Sequence, residues 1–210
     1  HRAPYAVQSR SSKLEATRAA MRRAGATHHF ISTLDDIAYL FNLRGSDVSY
    51  NPVFVAHALI DLEDATVFTT AGKISAELQT ALASEGIKTA DYAQAKAALV
   101  ALPTQAKLLI DPRRISFGLK QAIAPSVKII EQINPTTLAK SCKTAEQAEF
   151  VRATMEQDGA ALCEFYAWLE NALGKERITE LTIDEKLSAQ RAKRPGYISP
   201  SFATIAGFAA

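Results

Sequence analysis

Cysteine is nearly missing from this chain. Only Cys142 and Cys163 occur among 210 residues, with no CxxC spacing, so a zinc knuckle or a thioredoxin motif is excluded. Both lie in helix-like sequence and read as buried thiols rather than a disulfide, a usage that fits a reducing compartment. Long apolar runs are absent too, and no stretch reaches the length that spans a bilayer. Charge of one sign is not in excess: 24 Lys and Arg face 22 Asp and Glu, with no basic block, so no nucleic-acid footprint is expected. GxSxG, HExxH and P-loop patterns do not occur. The first residues, His1-Arg-Ala-Pro-Tyr5, lack the apolar core of a signal peptide and do not begin with Met. The last, Ile205-Ala-Gly-Phe-Ala-Ala210, carry no polar tail. The expectation is a piece of a longer protein.

What is present is ordinary globular composition. Hydrophobic residues make up 48% and charged ones 22%, which argues against disorder. The length allows one large domain or two small ones, with enough core to need no staples. Ser11 to Ala24 reads as an amphipathic helix capped by Ser11 or Ser12 and ended by Gly25. His28 to Ser32 is a strand, and Leu34 to Phe41 a short helix with Thr33 or Asp35 as cap. Val53 to Asp61 is a buried strand, joined through Glu63-Asp64 to a second strand, Ala65 to Thr70, as a hairpin. Helices then follow over Ile74–Ser84, Ala93–Leu102 and Ser116–Ala124. They alternate with strands over Ile87–Tyr92, Lys107–Ile110 and Val127–Ile133. This alternation defines an α/β domain, and the hairpin makes its sheet mixed.

The pattern changes after Pro135. Thr144 to Leu173 is one long helical stretch, with apolar residues at 148, 151, 155, 162, 165, 166 and 169. Thr144 and Gln147 have the spacing of a capping box, and Trp168 falls on the apolar face as a core residue. A second helix spans Thr182 to Lys193, capped by Thr182, and Pro195-Gly196 breaks it. Ser201 to Phe208 reads as a strand. The domain boundary falls near residue 138, giving 1–138 and 139–210.

The densest information lies in Leu34-Asp-Asp-Ile-Ala-Tyr-Leu-Phe-Asn-Leu-Arg-Gly-Ser-Asp-Val-Ser-Tyr-Asn-Pro-Val-Phe-Val55. A polar, glycine-centred loop separates two apolar segments, and Asn51-Pro52 restarts an extended run. This stretch resembles the LFNLRGSD…NPVF signature of three-domain X-prolyl aminopeptidases (the aminopeptidase P family). Lys143-Thr-Ala-Glu146, Arg152, Asp158-Gly-Ala-Ala161, Ile178-Thr-Glu-Leu181 and Ser201-Phe-Ala-Thr-Ile-Ala-Gly207 are similar to that family's entry into its catalytic domain. The resemblance implies a creatinase-N-like mixed sheet flanked by helices, followed by an incomplete α+β pita-bread domain. It also implies a parent enzyme that releases the N-terminal residue from peptides with proline second. That enzyme is expected to be a cytoplasmic homodimer holding two Mn²⁺ ions, with Zn²⁺ or Co²⁺ as possible replacements. By the same resemblance its ligands (two Asp, one His, two Glu) follow the Ser201 segment. No catalytic residue and no metal ligand is therefore assigned here, and no ion is expected to bind this chain.

The residues themselves offer few candidates. His28 and His29, adjacent on a strand, point to opposite faces and could not share a metal. His57, alone in an apolar run, reads as a core or interface histidine with one nitrogen satisfied. Asp35 and Asp36 read as helix-capping and first-turn acids, and Asp61, Glu63 and Asp64 as solvated turn charges. Arg44 and Asp47 are the substrate-binding candidates. They could tie the loop by a salt bridge or by bonds to carbonyls, or face a cleft and orient a peptide terminus, since the guanidinium fork matches a carboxylate. Two further readings stay open: a non-catalytic assembly or substrate-gating module, and a prolidase or creatinase-type hydrolase of the same fold.

Overall fold

The computed structural model describes residue 1 and residues 3–207. Its backbone forms two units. The first comprises residues 1–47 and 52–142, and the second Val48–Asn51 with the chain from Lys143 onward.

The first unit carries a sheet of six strands: β1 (His28–Ile31), β2 (Ala56–Asp61), β3 (Ala65–Thr69), β4 (Ile87–Asp91), β5 (Lys107–Ile110) and β6 (Lys128–Glu131). Their order is β4-β3-β2-β1-β5-β6. β2 runs antiparallel to both neighbours, while the β3–β4, β1–β5 and β5–β6 pairs are parallel. The sheet is therefore mixed, as the hairpin required. The hairpin turn is built by Asp61, whose Oδ1 accepts from the backbone N–H of Glu63 at 2.8 Å and of Asp64 at 2.6 Å, an Asx turn. Arg18 reaches the same turn and donates to the carbonyls of Asp61 and Glu63.

Helices α1 (Arg10–Ala24), α2 (Leu34–Phe41), α3 (Ala76–Ala83), α4 (Gln94–Val100), α5 (Phe117–Gln121) and α6 (Pro135–Ser141) complete this unit. The apolar residues divide by sheet face. Leu14, Met21, Ile31, Ile37, Leu40, Phe41, Ile60, Val67 and Leu82 form one core, and Phe30, Phe68, Leu99, Leu108 and Ile110 the other. This division follows from strand alternation: Phe30 and Ile31 are neighbours that point to opposite sides. α1 begins at Arg10, one residue earlier than expected, because Ser9 rather than Ser11 or Ser12 is its cap, accepting from Ser12 N–H at 3.1 Å. Gly25 ends it at φ +70°, a left-handed conformation that glycine adopts without cost. Val53 to Val55 lie outside β2, which starts at Ala56. Residues 135–141, read as a change of pattern, form α6 with Pro135 in its first turn, where a proline costs no hydrogen bond.

The second unit holds α7 (Ala145–Ala172) and α8 (Glu180–Ala192). The capping box at Thr144 is complete: its hydroxyl accepts from Gln147 N–H, and the Gln147 side chain accepts from Thr144 N–H. α8 is capped by Thr179, not Thr182, because Thr179 takes the Thr182 N–H at 3.1 Å. Arg191 grips Asp158 with two bonds, 2.7 and 3.2 Å, and Arg194 pairs with Glu164 at 2.6 Å. Of the expected apolar stripe on α7, Phe165 is buried beside Ala161 and Ala172, but Val151, Met155 and Tyr166 are exposed. Trp168 is half-buried, not core, with the Lys186 ammonium 5.2 Å from its ring centre. Both cysteines are exposed free thiols rather than buried ones; Cys142 lies at the C-terminal cap of α6 and Cys163 on the open side of α7. Residues 201–207 form no strand; extended chain becomes a strand only against a neighbour's ladder. Phe208, the end of that expected strand, lies outside the described residues.

Candidate functional site

The signature loop leaves α2 through Asn42, which takes φ +50° at the helix C-terminus, a left-handed conformation tolerated by asparagine. Asn42 is buried, and Lys13 of α1 holds it in place. The Lys13 ammonium donates to the Tyr39 carbonyl at 2.8 Å and to Asn42 Oδ1 at 2.6 Å, and lies 3.9 Å from the centre of the Tyr39 ring. Burial pushes the Lys13 pKa down to about 8. The Asn42 amide donates onward to the Gln8 carbonyl at 2.8 Å. Leu43 and Phe54 anchor both ends of the loop in the first-face core.

Between them two stretches run side by side. Gly45 N–H donates to the Pro52 carbonyl at 3.2 Å, and Asp47 N–H to the Val53 carbonyl at 3.1 Å. A Cβ at position 45 would stand 2.6 Å from Phe54 Cβ and 3.1 Å from the Val53 oxygen. The glycine is thus required by a close approach of two backbone stretches, not by a phosphate. At the tip, Asn51 N–H returns to the Val48 carbonyl at 3.3 Å, and Tyr50 takes φ +64°.

Arg44 and Asp47 do not pair with each other. The Asp47 carboxylate accepts from Val55 N–H at 2.6 Å and forms an ion pair with Lys73. The Lys73 bond first, and the Val55 N–H second, hold its pKa below the usual carboxylate value. Arg44 is exposed, and among the described residues its guanidinium has no hydrogen-bond or ion-pair partner. The expected salt bridge is therefore replaced by Asp47–Lys73. Lys73, Lys13 and the contact at Gly45 were not legible as parts of this loop: both lysines lie far away in sequence, and nothing local marks them.

The acids of α2 do more than charge a first turn. Asp36 is fully buried and accepts from Asn134 Nδ2 at 3.2 Å and Thr137 Oγ1 at 2.7 Å, with the Lys140 ammonium 3.2 Å from its other oxygen. Asp35 pairs with the same lysine. These contacts fasten α2, and with it the start of the loop, to α6.

The histidines are dispersed. His29 is completely buried, with Nδ1 3.0 Å from the Leu109 carbonyl and Nε2 unpartnered. Burial drives its pKa down to about 4, against opposing contributions from that carbonyl and from Asp111. His28, on the other face, pairs with the Thr27 hydroxyl at 2.9 Å. His57 is nine-tenths buried, and its Nδ1 has no partner rather than a satisfied one. Among the described residues no group of three or more His, Cys, Asp or Glu side chains is placed to hold a metal ion. Among the described residues no helix is long and apolar enough to cross a membrane.

The six-stranded mixed sheet flanked by helices is that of a creatinase-N-like α/β protein. The chain belongs to the creatinase/prolidase N-terminal domain family, whose model matches residues 1–147. It is similar to the probable Xaa-Pro aminopeptidase P of Botryotinia fuckeliana, 34% identical over 210 residues covering 96% of this chain and 32% of that protein. It is also similar to Xaa-Pro aminopeptidase 1 of Dictyostelium discoideum, 33% identical over 200 residues covering 93% of this chain and 31% of that protein. The crystal structure of the X-prolyl aminopeptidase from Caenorhabditis elegans, described as a cytosolic enzyme with a di-nuclear active site, superposes with a TM-score of 0.87 at 22% identity. The match covers 93% of this chain and 33% of that one. The chain thus spans about a third of the length of the curated relatives it matches.

Proposed function

We propose that this chain is part of a metal-dependent aminopeptidase that releases the N-terminal residue from peptides with proline in second position. In this reading, residues 1–138 are its creatinase-N-like domain and 139–210 the opening of its pita-bread catalytic domain. The observation that carries the proposal is the end-to-end match to relatives named Xaa-Pro aminopeptidase, covering 96% of this chain in one case and 93% in another.

Within that enzyme, Arg44 and Asp47 serve substrate. Arg44 presents a planar fork of donors suited to a peptide carboxylate or carbonyl. The bonds from Gly45, Asp47 and Val55 fix its loop beforehand, so little ordering entropy remains to be lost on binding. Asp47 acts through its bond to Lys73, which sets the loop's shape. The whole enzyme is a cytoplasmic homodimer that takes two Mn²⁺ ions, replaceable by Zn²⁺ or Co²⁺, and these supply its hydrolytic chemistry. The described residues do not form a site that fits such ions, so no step of the hydrolysis is assigned to them.

A second reading applies to the 210 residues alone: a non-catalytic module that gates substrate. It is favoured by the engagement of Asp36, Asp47 and Asp61 in structural hydrogen bonds. The test is Arg44→Ala in the longer enzyme. We expect kcat/KM for an Xaa-Pro peptide to fall by about tenfold or more with the melting temperature unmoved. Unchanged kcat/KM would remove Arg44 from the substrate site.

A further inference from the structure

A pocket of about 320 Å³ opens among the second-face core residues of the first unit, lined by His57, Tyr92, Lys96, Ser116, Leu119 and two alanines. The loop of Arg44 packs instead on the first-face core through Leu43 and Phe54, so the pocket is a separate place in the fold. Its chemistry is one-sided. His57, from β2, is stacked between two rings: Phe30 at 5.4 Å between centres with planes 29° apart, and Tyr92 at 4.8 Å with planes 23° apart. Such stacking fixes the imidazole and leaves its edge as the polar part. Its Nδ1 is buried without a hydrogen-bond partner, a cost that a well-packed protein normally avoids.

Every other polar side chain in the lining is a donor, or has a donor to spare. Lys96 forms no ion pair among the described residues, and the Tyr92 hydroxyl has no partner there. Ser116 Oγ accepts from Leu119 N–H at 3.4 Å, which leaves its O–H free to donate. No carboxylate lines the pocket. The nearby Asp91 is turned to the backbone, its Oδ1 accepting from Ala93 N–H at 2.9 Å. Donors surrounding a cavity with flat aromatic and apolar walls call for a planar body that ends in an anion.

We infer that this pocket binds small aromatic carboxylates: the ring lies against Tyr92 and Leu119, and the carboxylate takes the Lys96 ammonium and the Ser116 hydroxyl. A single ring with one carboxylate suits the volume, and for so few atoms affinity in about the millimolar range follows.

Benzoate is the probe. The 210-residue chain is titrated at pH 7 while the ring resonances of His57 and Tyr92 and the amides of Ala93 to Lys96 and Ser116 are followed by NMR. Saturable shifts confined to these residues are expected. Benzamide, the same shape without charge, should bind about tenfold more weakly. Lys96→Met, at an exposed position where the fold is not at stake, should weaken benzoate about three- to tenfold and leave benzamide unchanged. Tyr92→Ala should weaken both. Absence of saturable shifts at these residues, equal binding of benzoate and benzamide, or indifference to Lys96→Met would each overturn the inference.

Discussion

Gly45 is the residue on which the signature loop closes. Gly45→Ala puts a methyl group 2.6 Å from Phe54 Cβ, and the two backbone stretches must part to admit it. Overpacking of this kind costs about 1–3 kcal/mol, so chemical denaturation should show the variant less stable by that amount. Arg44→Ala removes no hydrogen bond or ion pair among the described residues and should melt like the parent. His29 sets a pH dependence. Its pKa falls from 6.5 in the unfolded chain to about 4 in the fold, so the unfolded chain binds the proton first as pH drops. The stability that rests on a neutral His29 is complete above pH 6.5 and lost as pH falls towards 4, a change on the order of 3 kcal/mol. Urea unfolding between pH 7 and 4.5 should show this loss, and His29→Asn, which cannot titrate, should show a shallower slope. Equal slopes would mean that other groups carry the acid sensitivity.

Helix α2 is held at its start by Asp36 and at its end by Lys13 through Asn42. Asp36→Ala would strand the Asn134 and Thr137 donors and the Lys140 ammonium, and removing one partner of a buried charged cluster costs about 3 kcal/mol or more. Asp35→Ala breaks only a half-exposed pair to the same lysine and should cost under about 1 kcal/mol. A thermal-melt comparison that ranks the two equally would refute the tie between α2 and α6. Sequence legibility divides along the same line. Features closed within a few residues were readable: the Thr144–Gln147 capping box, the Glu63-Asp64 connection and the Gly25 stop. Features closed at long range were not. The Asp36 partners lie 98 and 101 residues away, and the Asp47–Lys73 bond spans 26, so Asp36 read as a first-turn acid and Asp47 as a mate for Arg44 or for substrate. Helix α6 hid behind its proline, and the Ser9 and Thr179 caps were missed because serines and threonines cluster at both starts. The strand expected at Ser201 had the right composition, but a strand needs a partner that composition does not supply.

For the molecule as a whole, the ties from Asn134 and Thr137 make α6 integral to the first unit, so residues 1–142 should melt cooperatively. A chain cut at 133, which keeps β6 and loses α6, should be less stable by an amount comparable to Asp36→Ala. The arrangement of the candidate site was legible only in part: the loop and its two charged residues stood out, but what holds each of them did not. Among the described residues no three His, Cys, Asp or Glu side chains are placed together to hold a metal ion. On the proposed reading these 210 residues are part of an Xaa-Pro aminopeptidase, and they are not expected to hold its hydrolytic ions. The most direct test is to assay the purified chain with a fluorogenic Xaa-Pro peptide and saturating Mn²⁺, alongside a calorimetric Mn²⁺ titration. No turnover and no stoichiometric binding of two ions are expected; turnover, or two ions bound tightly, would contradict the proposed reading.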